Sequence, residues 1–230
     1  MSIAENIAQV RANIARACEE AGRAISEITL VGASKMNDAA ACREAIAGGI
    51  DALGENRVQE MTAKLAEDAY TGAPLHFIGH LQRNKVKQVV GKVDLIQSVG
   101  SLELLDEIEK VAAKLDLVQD ILLEVNIAGE EAKSGFAPAE VFAAAEAALA
   151  HPHIRVRGLM TIPPFDADRD TNMRYFNEVR ALYVDINAKL FHNELECLSM
   201  GMSGDYADAI RAGATMVRVG TAIFGARHYT

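Results

Sequence analysis

The sequence predicts an α/β fold, a single (β/α)8 TIM barrel with an extra N-terminal helix. Eight short apolar runs rich in β-forming residues alternate with helical patterns along the 230 residues, and this alternation is typical of parallel strands joined by helices. Eight such units are the number that closes a barrel. No low-complexity segment or linker divides the chain, so we expect one domain over residues 1–230, a length that is common for barrels.

Residues 2–21 are predicted to form the extra helix. Apolar residues recur at three- and four-residue steps from Ile3 onward, the spacing of one helix face. Ser2 followed by Glu5 forms a capping box at the start, and Gly22 is a stop signal at the end.

The eight predicted strands follow in order, and helical patterns lie between them. The strands are Ile28–Ala33, Asp51–Gly54, His76–Gly79, Leu95–Val99, Asp120–Asn126, Arg155–Thr161, Glu196–Met200 and Met216–Gly220. The first helical pattern ends at Gly48-Gly49, the second covers 58–65 and the third begins near Gln82. The next four cover 102–115, 138–150, 176–190 and about Ser203–Ala212. An open doubly wound sheet is the alternative, but no GxGxxG follows the first strand.

Composition and charge argue against several classes of protein. A net charge of −9 would repel nucleic acid. The three cysteines include no CxxC, which disfavours a disulfide framework or a cysteine zinc site and predicts a reducing, cytoplasmic location. Charges interrupt the first 20 residues, so no signal peptide is expected, and no apolar run reaches the ~18 residues of a membrane span. No metal-binding motif stands out.

Candidate functional residues lie where the predicted strands end, because barrels of this type carry their active sites there. Lys35 follows the first strand, and Glu55 and Asn56 follow the second. A lysine desolvated beside apolar strand residues supplies a neutral amine that attacks an aldehyde; a solvated lysine at a helix start is the simpler interpretation. Glu55 is either a base or an exposed helix-start carboxylate, and His76 is expected to be structural.

The segments after strands seven and eight form the recurrent phosphate site of such barrels. Ser199 and Thr221 offer hydroxyl donors, while Gly201 and Gly220 let backbone N–H groups approach an anion closely. A helix that starts near Ser203 would point its positive end the same way. The alternative is that Gly220 only turns a corner and Ser203 only caps a helix.

Arg218 is a charged residue inside an apolar strand. Alternation places Arg218 and Gly220 on one face, opposite Val217 and Val219. If that face is the barrel interior, the charge needs a partner. The partner is either a structural carboxylate or a ring nitrogen of a bound cofactor.

At these residues the sequence resembles the pyridoxal phosphate homeostasis protein family, also called the YggS/PROSC family. Seven segments carry the resemblance, in family order over nearly the whole chain, and together they are highly specific. They are Ala33-Ser-Lys35, Gly54-Glu-Asn-Arg-Val-Gln-Glu60, His76-Phe-Ile-Gly-His-Leu-Gln-Arg-Asn-Lys85, Lys133-Ser-Gly135, Arg157-Gly-Leu-Met160, Leu198-Ser-Met-Gly-Met-Ser203 and Met216-Val-Arg-Val-Gly-Thr-Ala-Ile-Phe-Gly225.

The resemblance implies a barrel like the N-terminal domain of alanine racemase, with pyridoxal 5'-phosphate held as an internal aldimine on Lys35. It also implies that Ser199, Gly220 and Thr221 cradle the phosphate. The full set of expected cofactor-binding residues is Lys35, Asn56, Ser199, Gly201, Arg218, Gly220 and Thr221. Met36-Asn37-Asp38 replaces the proline-containing turn that is usual in the family after the lysine.

An expectation about catalysis follows from Arg218, which the resemblance places at the pyridine nitrogen. A cation there opposes protonation of the ring by like-charge repulsion and restrains carbanion chemistry. Racemases of this fold compensate with two opposed bases, one from an additional β-domain, and the sequence ends at Thr230 with no room expected for that domain.

The expected function is therefore pyridoxal phosphate homeostasis without efficient catalysis and without catalytic residues. Pyridoxal-phosphate-dependent apo-enzymes are candidate acceptors, and a monomer or weak dimer is expected. Two alternatives stay open. One is a weak racemase-type enzyme that uses the same cofactor. The other, from a different class, is a cofactor-free Schiff-base aldolase that uses Lys35 on a phosphorylated sugar.

Overall fold

A computed structural model describes residues 1–130 and 133–225 of the chain. The strands are β1 Thr29–Ala33, β2 Ala52–Glu55, β3 Leu75–Phe77, β4 Leu95–Val99, β5 Gln119–Val125, β6 Ile154–Thr161, β7 Cys197–Ser199 and β8 Met216–Val219. The helices are α1 Ile3–Glu20, α2 Ala39–Ala47, α3 Val58–Leu65, α4 Leu102–Lys114, α5 Val141–Leu149, α6 Arg169–Leu190, α7 Tyr206–Arg211 and α8 Thr221–Phe224. Short 3₁₀ helices cover Ile25–Glu27 and Arg83–Gln88.

The eight strands form a closed barrel in sequence order. Every neighbouring pair is parallel, and β1 closes the barrel against β8 with Thr29 opposite Met216 and Gly32 opposite Val219. Parallel strands with helical crossovers need apolar residues on both faces, which explains why the strands read as apolar runs in the sequence. The predicted (β/α)8 barrel is confirmed.

The extra N-terminal helix is also confirmed. Ser2 and Glu5 form the reciprocal capping box, with Glu5 N donating to Ser2 Oγ at 3.2 Å and Ser2 N to Glu5 Oε2 at 2.7 Å. The buried face of α1 packs against α2, α7 and α8. The Asn6 side chain donates to Ile223 O at 2.8 Å. The helix therefore braces the outer layer where the first and last strands meet.

The barrel interior consists of an apolar layer with a polar layer above it. The apolar layer is formed by Val31, Ala52, Leu95, Leu122, Met160 and Met216. Side chains on one strand face recur every two residues, so the next inward positions include Gln97, Glu124, Ser199 and Arg218, all of which are buried. Two residues further on, at the mouth, the chain reaches Lys35, Asn56, Gly201 and Gly220.

Some predicted boundaries were wrong by several residues. Helix α7 begins at Tyr206, not near Ser203, because the Ser203 hydroxyl is taken by the backbone after β8. Helix α5 begins at Val141, not at Pro138, because residues before it form a turn that is closed by Glu140 N donating to Ala137 O at 2.8 Å. Helix α8, which begins immediately after β8, was not predicted.

In 1–130 and 133–225, no helix is both long and apolar enough to cross a membrane. In the same ranges, no three His, Cys, Asp or Glu side chains are grouped so that they could hold a metal ion.

Candidate functional site

The predicted site residues come together in one sector of the barrel mouth. Ala33 of β1 pairs with Gly54 of β2, so Lys35 and Asn56 leave neighbouring strands side by side. Strand β8 lies on the other side of β1, which brings Gly220 to the same sector. A Cβ built on Gly220 would lie 3.5 Å from the Ala33 side chain, an ordinary contact.

Lys35 is half-buried in the turn that follows β1. Asn37 N donates to Ser34 O at 3.1 Å and the Asn37 side chain donates to Lys35 O at 3.0 Å. Met36 has a φ of +62°, a left-handed conformation that a non-glycine residue rarely adopts. Asp38 then caps α2 by accepting from Ala41 N at 2.8 Å. The turn without proline is therefore well defined by its own hydrogen bonds.

Asn56 offers an acceptor at the mouth. Its Oδ1 atom is buried and has no hydrogen-bond partner among the described residues. A Cβ at Gly79 would lie 2.3 Å from Asn56 O, so the loop after β3 packs directly on the Asn56 backbone. A buried acceptor without a partner is costly, and this atom is therefore a candidate ligand contact.

Arg218 lies inside the barrel, with 3% of its surface exposed. Its Nη1 donates to Ser199 Oγ at 2.5 Å and its Nη2 to Thr161 O at 2.8 Å. The predicted alternation is correct, but the hydrogen-bond partners in the described residues are a hydroxyl and a carbonyl rather than a carboxylate. Burial lowers the pKa of Arg218 to about 10, which the nearby Glu124 partly opposes, so the guanidinium stays cationic at neutral pH.

Ser199 belongs to a buried chain of polar groups. Its hydroxyl, fully buried, donates to Gln97 Oε1 at 2.6 Å, and Gln97 Nε2 lies 2.9 Å from His76 Nδ1. Burial lowers the pKa of His76 to about 4, so the imidazole is neutral at physiological pH. The Ser199 hydroxyl is thus engaged below the mouth with Arg218 and Gln97, and its contact with a phosphate stays a prediction. His76 stands within this interior chain, in a strand interior.

Glu124 and Gln97 are buried polar residues below the mouth that sequence reasoning missed as candidates. Burial raises the pKa of Glu124 to about 7, with Arg218 opposing the rise, and its Oε2 has no partner among the described residues. Each follows an inward-facing leucine by two positions, Leu122 and Leu95. Because side chains on one face of a strand recur every two residues, a polar residue two positions after an inward-facing apolar residue should also face the interior. This pattern could have identified both residues.

The glycine segments after β7 and β8 have different environments. Gly201 has a φ of +92°, and a Cβ there would lie 2.6 Å from the Ala209 side chain, so this glycine allows α7 to pack closely. Gly220 N donates to Ser203 Oγ at 3.1 Å. Thr221 is exposed and begins α8. The Ser203 hydroxyl therefore links the two loops, and Thr221 is an exposed residue at the end of β8.

Loops from three other strands meet beside this sector. His80 Nδ1 lies 2.6 Å from Ser134 Oγ, and Lys133 Nζ donates to Pro163 O at 3.5 Å. Asn126 organises the loop after β5 by donating to Glu130 O at 2.9 Å. Polar contacts between the loops after β3, β5 and β6 therefore border the mouth.

A groove of about 620 Å³ lies elsewhere, at the start of β6 and β7. Its lining includes Arg155, Arg157 and Glu196 but none of the residues at the mouth. Asp120 and Glu196 pair with these arginines. The candidate site is therefore the mouth, where the strands bring Lys35 and Asn56 to the rim and Arg218 below it. Among the described residues, Asn56 Oδ1 and Glu124 Oε2 have no hydrogen-bond partner there. Such a set suits a ligand with an electrophilic carbonyl and an anionic group.

Comparison with known proteins gives a consistent family assignment. Residues 6–228 match the family described as alanine racemase, N-terminal domain. The pyridoxal phosphate homeostasis protein of Aquifex aeolicus is 43% identical over 229 residues, covering 100% of both chains. That of Pseudomonas aeruginosa is 43% identical and covers 99% of this chain and 97% of its own. The solved structure of PipY from Synechococcus elongatus with PLP bound has a TM-score of 0.84 and 32% identity, covering 97% of this chain and 100% of PipY.

Proposed function

The chain belongs to the pyridoxal phosphate homeostasis protein family, and on that premise we propose that it binds pyridoxal 5'-phosphate through Lys35 without efficient catalysis. The observation that carries the proposal is the half-buried Lys35 in a well-defined turn at the barrel mouth, in a chain whose relative PipY was solved with PLP bound.

The residues present fit this cofactor. Lys35 supplies the primary amine, and the buried Asn56 Oδ1 lacks a partner among the described residues, as expected for an atom beside a bound group. Arg218 uses one N–H on each terminal nitrogen for Ser199 and Thr161, whereas a guanidinium carries five donors, so it can bind another acceptor.

Each group has a distinct role in the proposal. When bound, the cofactor supplies an aldehyde that condenses with amines and a phosphate that needs hydrogen-bond donors. Lys35 anchors the aldehyde end, while Thr221 and the backbone around Gly220 hold the phosphate, with Ser199 and Gly201 as predicted neighbours. Ser203 holds the backbone at Gly220 in place.

Restraint of catalysis follows from Arg218. Buried and still cationic, it would oppose protonation of a ring nitrogen placed beside it, since two like charges in a low-dielectric interior repel strongly. An unprotonated ring accepts electrons poorly, so the protein would hold the cofactor while limiting its chemistry.

The proposal extends to partners and location. Pyridoxal-phosphate-dependent apo-enzymes are the proposed acceptors, the protein is a monomer or weak dimer, and it works in the cytoplasm. The location is supported by Cys18, Cys42 and Cys197, which are free thiols, as expected in a reducing compartment.

A titration with pyridoxal phosphate, followed by visible absorbance, tests the binding. The wild-type protein should show the absorbance change that accompanies condensation with an amine, and Lys35→Ala should not. Lys110→Ala is the matched control, because that side chain is 75% exposed, and it should behave like wild type. No absorbance change in the wild-type protein would rule out binding of the cofactor and would favour the cofactor-free aldolase.

Chiral chromatography of amino acids incubated with the loaded protein tests the restraint of catalysis. We expect no racemisation above that caused by the free cofactor. Turnover in the ordinary enzyme range, roughly 1 to 1000 per second, would contradict the proposed non-catalytic role while leaving the binding intact.

A further inference from the structure

A buried ionic cluster, here called the Lys64 cluster, lies on the outer side of the β1–β2 wall, behind the Lys35 turn. It consists of Ser34, Glu55, Glu60, Lys64 and Tyr70. Lys64 Nζ lies 2.7 Å from Glu55 Oε1, 2.8 Å from Glu60 Oε1 and 2.9 Å from Ser34 O. The Glu55 oxygen also accepts from Ser34 Oγ at 2.6 Å and from Tyr70 OH at 3.0 Å.

The cluster is placed by strand alternation and helix periodicity. Ala52 faces the barrel interior, so Glu55, three residues later, faces outward between the strand and the helices. Glu60 and Lys64 are four residues apart on α3 and therefore share one face of that helix. Both expectations for Glu55 are wrong: it is not an exposed carboxylate at a helix start, because it ends β2 with its side chain 0% exposed, and it is not a base at the mouth, because that side chain lies on the outer side of the strand.

Three bonds of the cluster hold the residues on either side of Lys35, two of them to the backbone. On the preceding side, Ser34 is held through its hydroxyl by Glu55 and through its carbonyl by Lys64. On the following side, Met36 N donates to Glu60 Oε1 at 2.5 Å. Met36 is the residue with a φ of +62°, a conformation that costs roughly 1–2 kcal/mol for a side chain with a Cβ and so needs contacts that maintain it.

Burial restricts the side chains of the cluster to few conformations. The side chains of Lys64 and Glu55 are only 6% and 0% exposed, and removing one member of a buried ion pair leaves the other without compensation. A network of this kind allows few alternative arrangements, so the backbone it binds is restrained as well. Glu60, at 20% exposure, is the member that can be changed with least harm to the fold.

We propose that Glu60, Lys64 and Ser34 are positioning residues that fix the Lys35 turn from behind, so that the Lys35 amine is presented to the aldehyde at the barrel mouth. This inference rests on the proposed function. Capture joins Lys35 Nζ to the aldehyde carbon, and the aldehyde oxygen leaves as water with the two amine hydrogens. When the turn is loosened, only a fraction of the molecules hold the amine in the correct position. The apparent affinity and the rate of capture are then reduced to that fraction of their full values.

The test compares three variants by the rate at which added pyridoxal phosphate is captured. Glu60→Ala removes the acceptor for Met36 N and should slow capture about tenfold, as expected for loss of a hydrogen bond to a charged group. Glu60→Gln keeps an acceptor and should recover most of the rate. Tyr70→Phe removes a different bond to the cluster without touching the turn, and should capture at the wild-type rate.

Thermal unfolding of the same proteins separates positioning from general stability. Glu60→Ala and Tyr70→Phe should unfold at similar temperatures although their capture rates differ. Equal capture by Glu60→Ala and wild type, or equal slowing by Tyr70→Phe, would overturn the proposal.

A second measurement needs only the wild-type protein without added cofactor. Exchange of the Met36 amide hydrogen, whose acceptor is Glu60, should be slow in wild type and fast in Glu60→Ala. Fast exchange in wild type would show that the cluster does not hold the turn. Because this measurement involves no cofactor, failure of the proposed function would leave slow exchange unchanged, so the two failures are distinguishable.

Discussion

Replacing Glu124 with glutamine should change how the stability of the cofactor-free protein depends on pH. Burial raises the pKa of Glu124 from 4.5 to about 7 in the folded protein, although Arg218 acts in the opposite direction. A carboxyl group whose pKa is higher in the folded than in the unfolded protein stabilises the fold while it is protonated. Its full contribution is present below the pKa of the unfolded protein and is lost as the pH rises through the pKa of the folded protein. The wild-type protein should therefore lose stability between these values, and Glu124→Gln should not.

The magnitude follows from the size of the shift. One pKa unit corresponds to about 1.4 kcal/mol, so a shift from 4.5 to about 7 is worth about 3 kcal/mol in full, most of it lost between about pH 5 and pH 8.5. Urea unfolding of both proteins at these two pH values measures it. Glu178→Gln, which changes a carboxylate that is 52% exposed, is the control and should follow wild type. Identical pH dependence of wild type and Glu124→Gln would refute the reasoning.

Two further predictions concern the barrel wall and interior. Burial lowers the pKa of His76 from 6.5 to about 4. The neutral imidazole therefore stabilises the fold above pH 6.5, and this contribution is lost as the pH falls through about 4. Between these pH values the free energy of unfolding of His76→Gln, measured in urea, should fall by about 3 kcal/mol less than that of wild type. An equal acid loss in both proteins would argue against it. Gly158→Ala places a Cβ 1.7 Å from Cys197 O, and should destabilise the protein by more than ~3 kcal/mol in thermal or urea unfolding. Gly129→Ala, with a φ of +67° but nothing within 4 Å, should cost only about 1 kcal/mol, and similar losses in both variants would contradict the steric argument.

The fold could be predicted because the information for it is local. Each strand of a parallel barrel is buried on both faces and reads as an apolar run, and each crossover helix adds a period of three to four residues. Boundaries were harder to predict because they depend on distant partners. Ser203 would cap α7 on local grounds, but its hydroxyl binds Gly220 N, 17 residues away.

The placement of the candidate site residues at the barrel mouth could also be predicted, whereas their supporting contacts could not. Lys35 and Asn56 could be placed at the mouth because the ends of the strands meet there in a barrel, and alternation placed Arg218 inside. Sequence spacing gives no indication that Ser199 binds Gln97, 102 residues away, or that Lys64 binds the carbonyl of Ser34, 30 residues away. Barrel closure creates these contacts.

Reduction of the cofactor-loaded protein with borohydride, followed by mass mapping of its peptides, tests the central claim most directly. We predict that the pyridoxyl group is fixed on the peptide that contains Lys35 and that Lys35→Ala carries no label at any one site. Labelling of another lysine in the wild-type protein, with the Lys35 peptide unmodified, would contradict the assignment of Lys35 as the anchor.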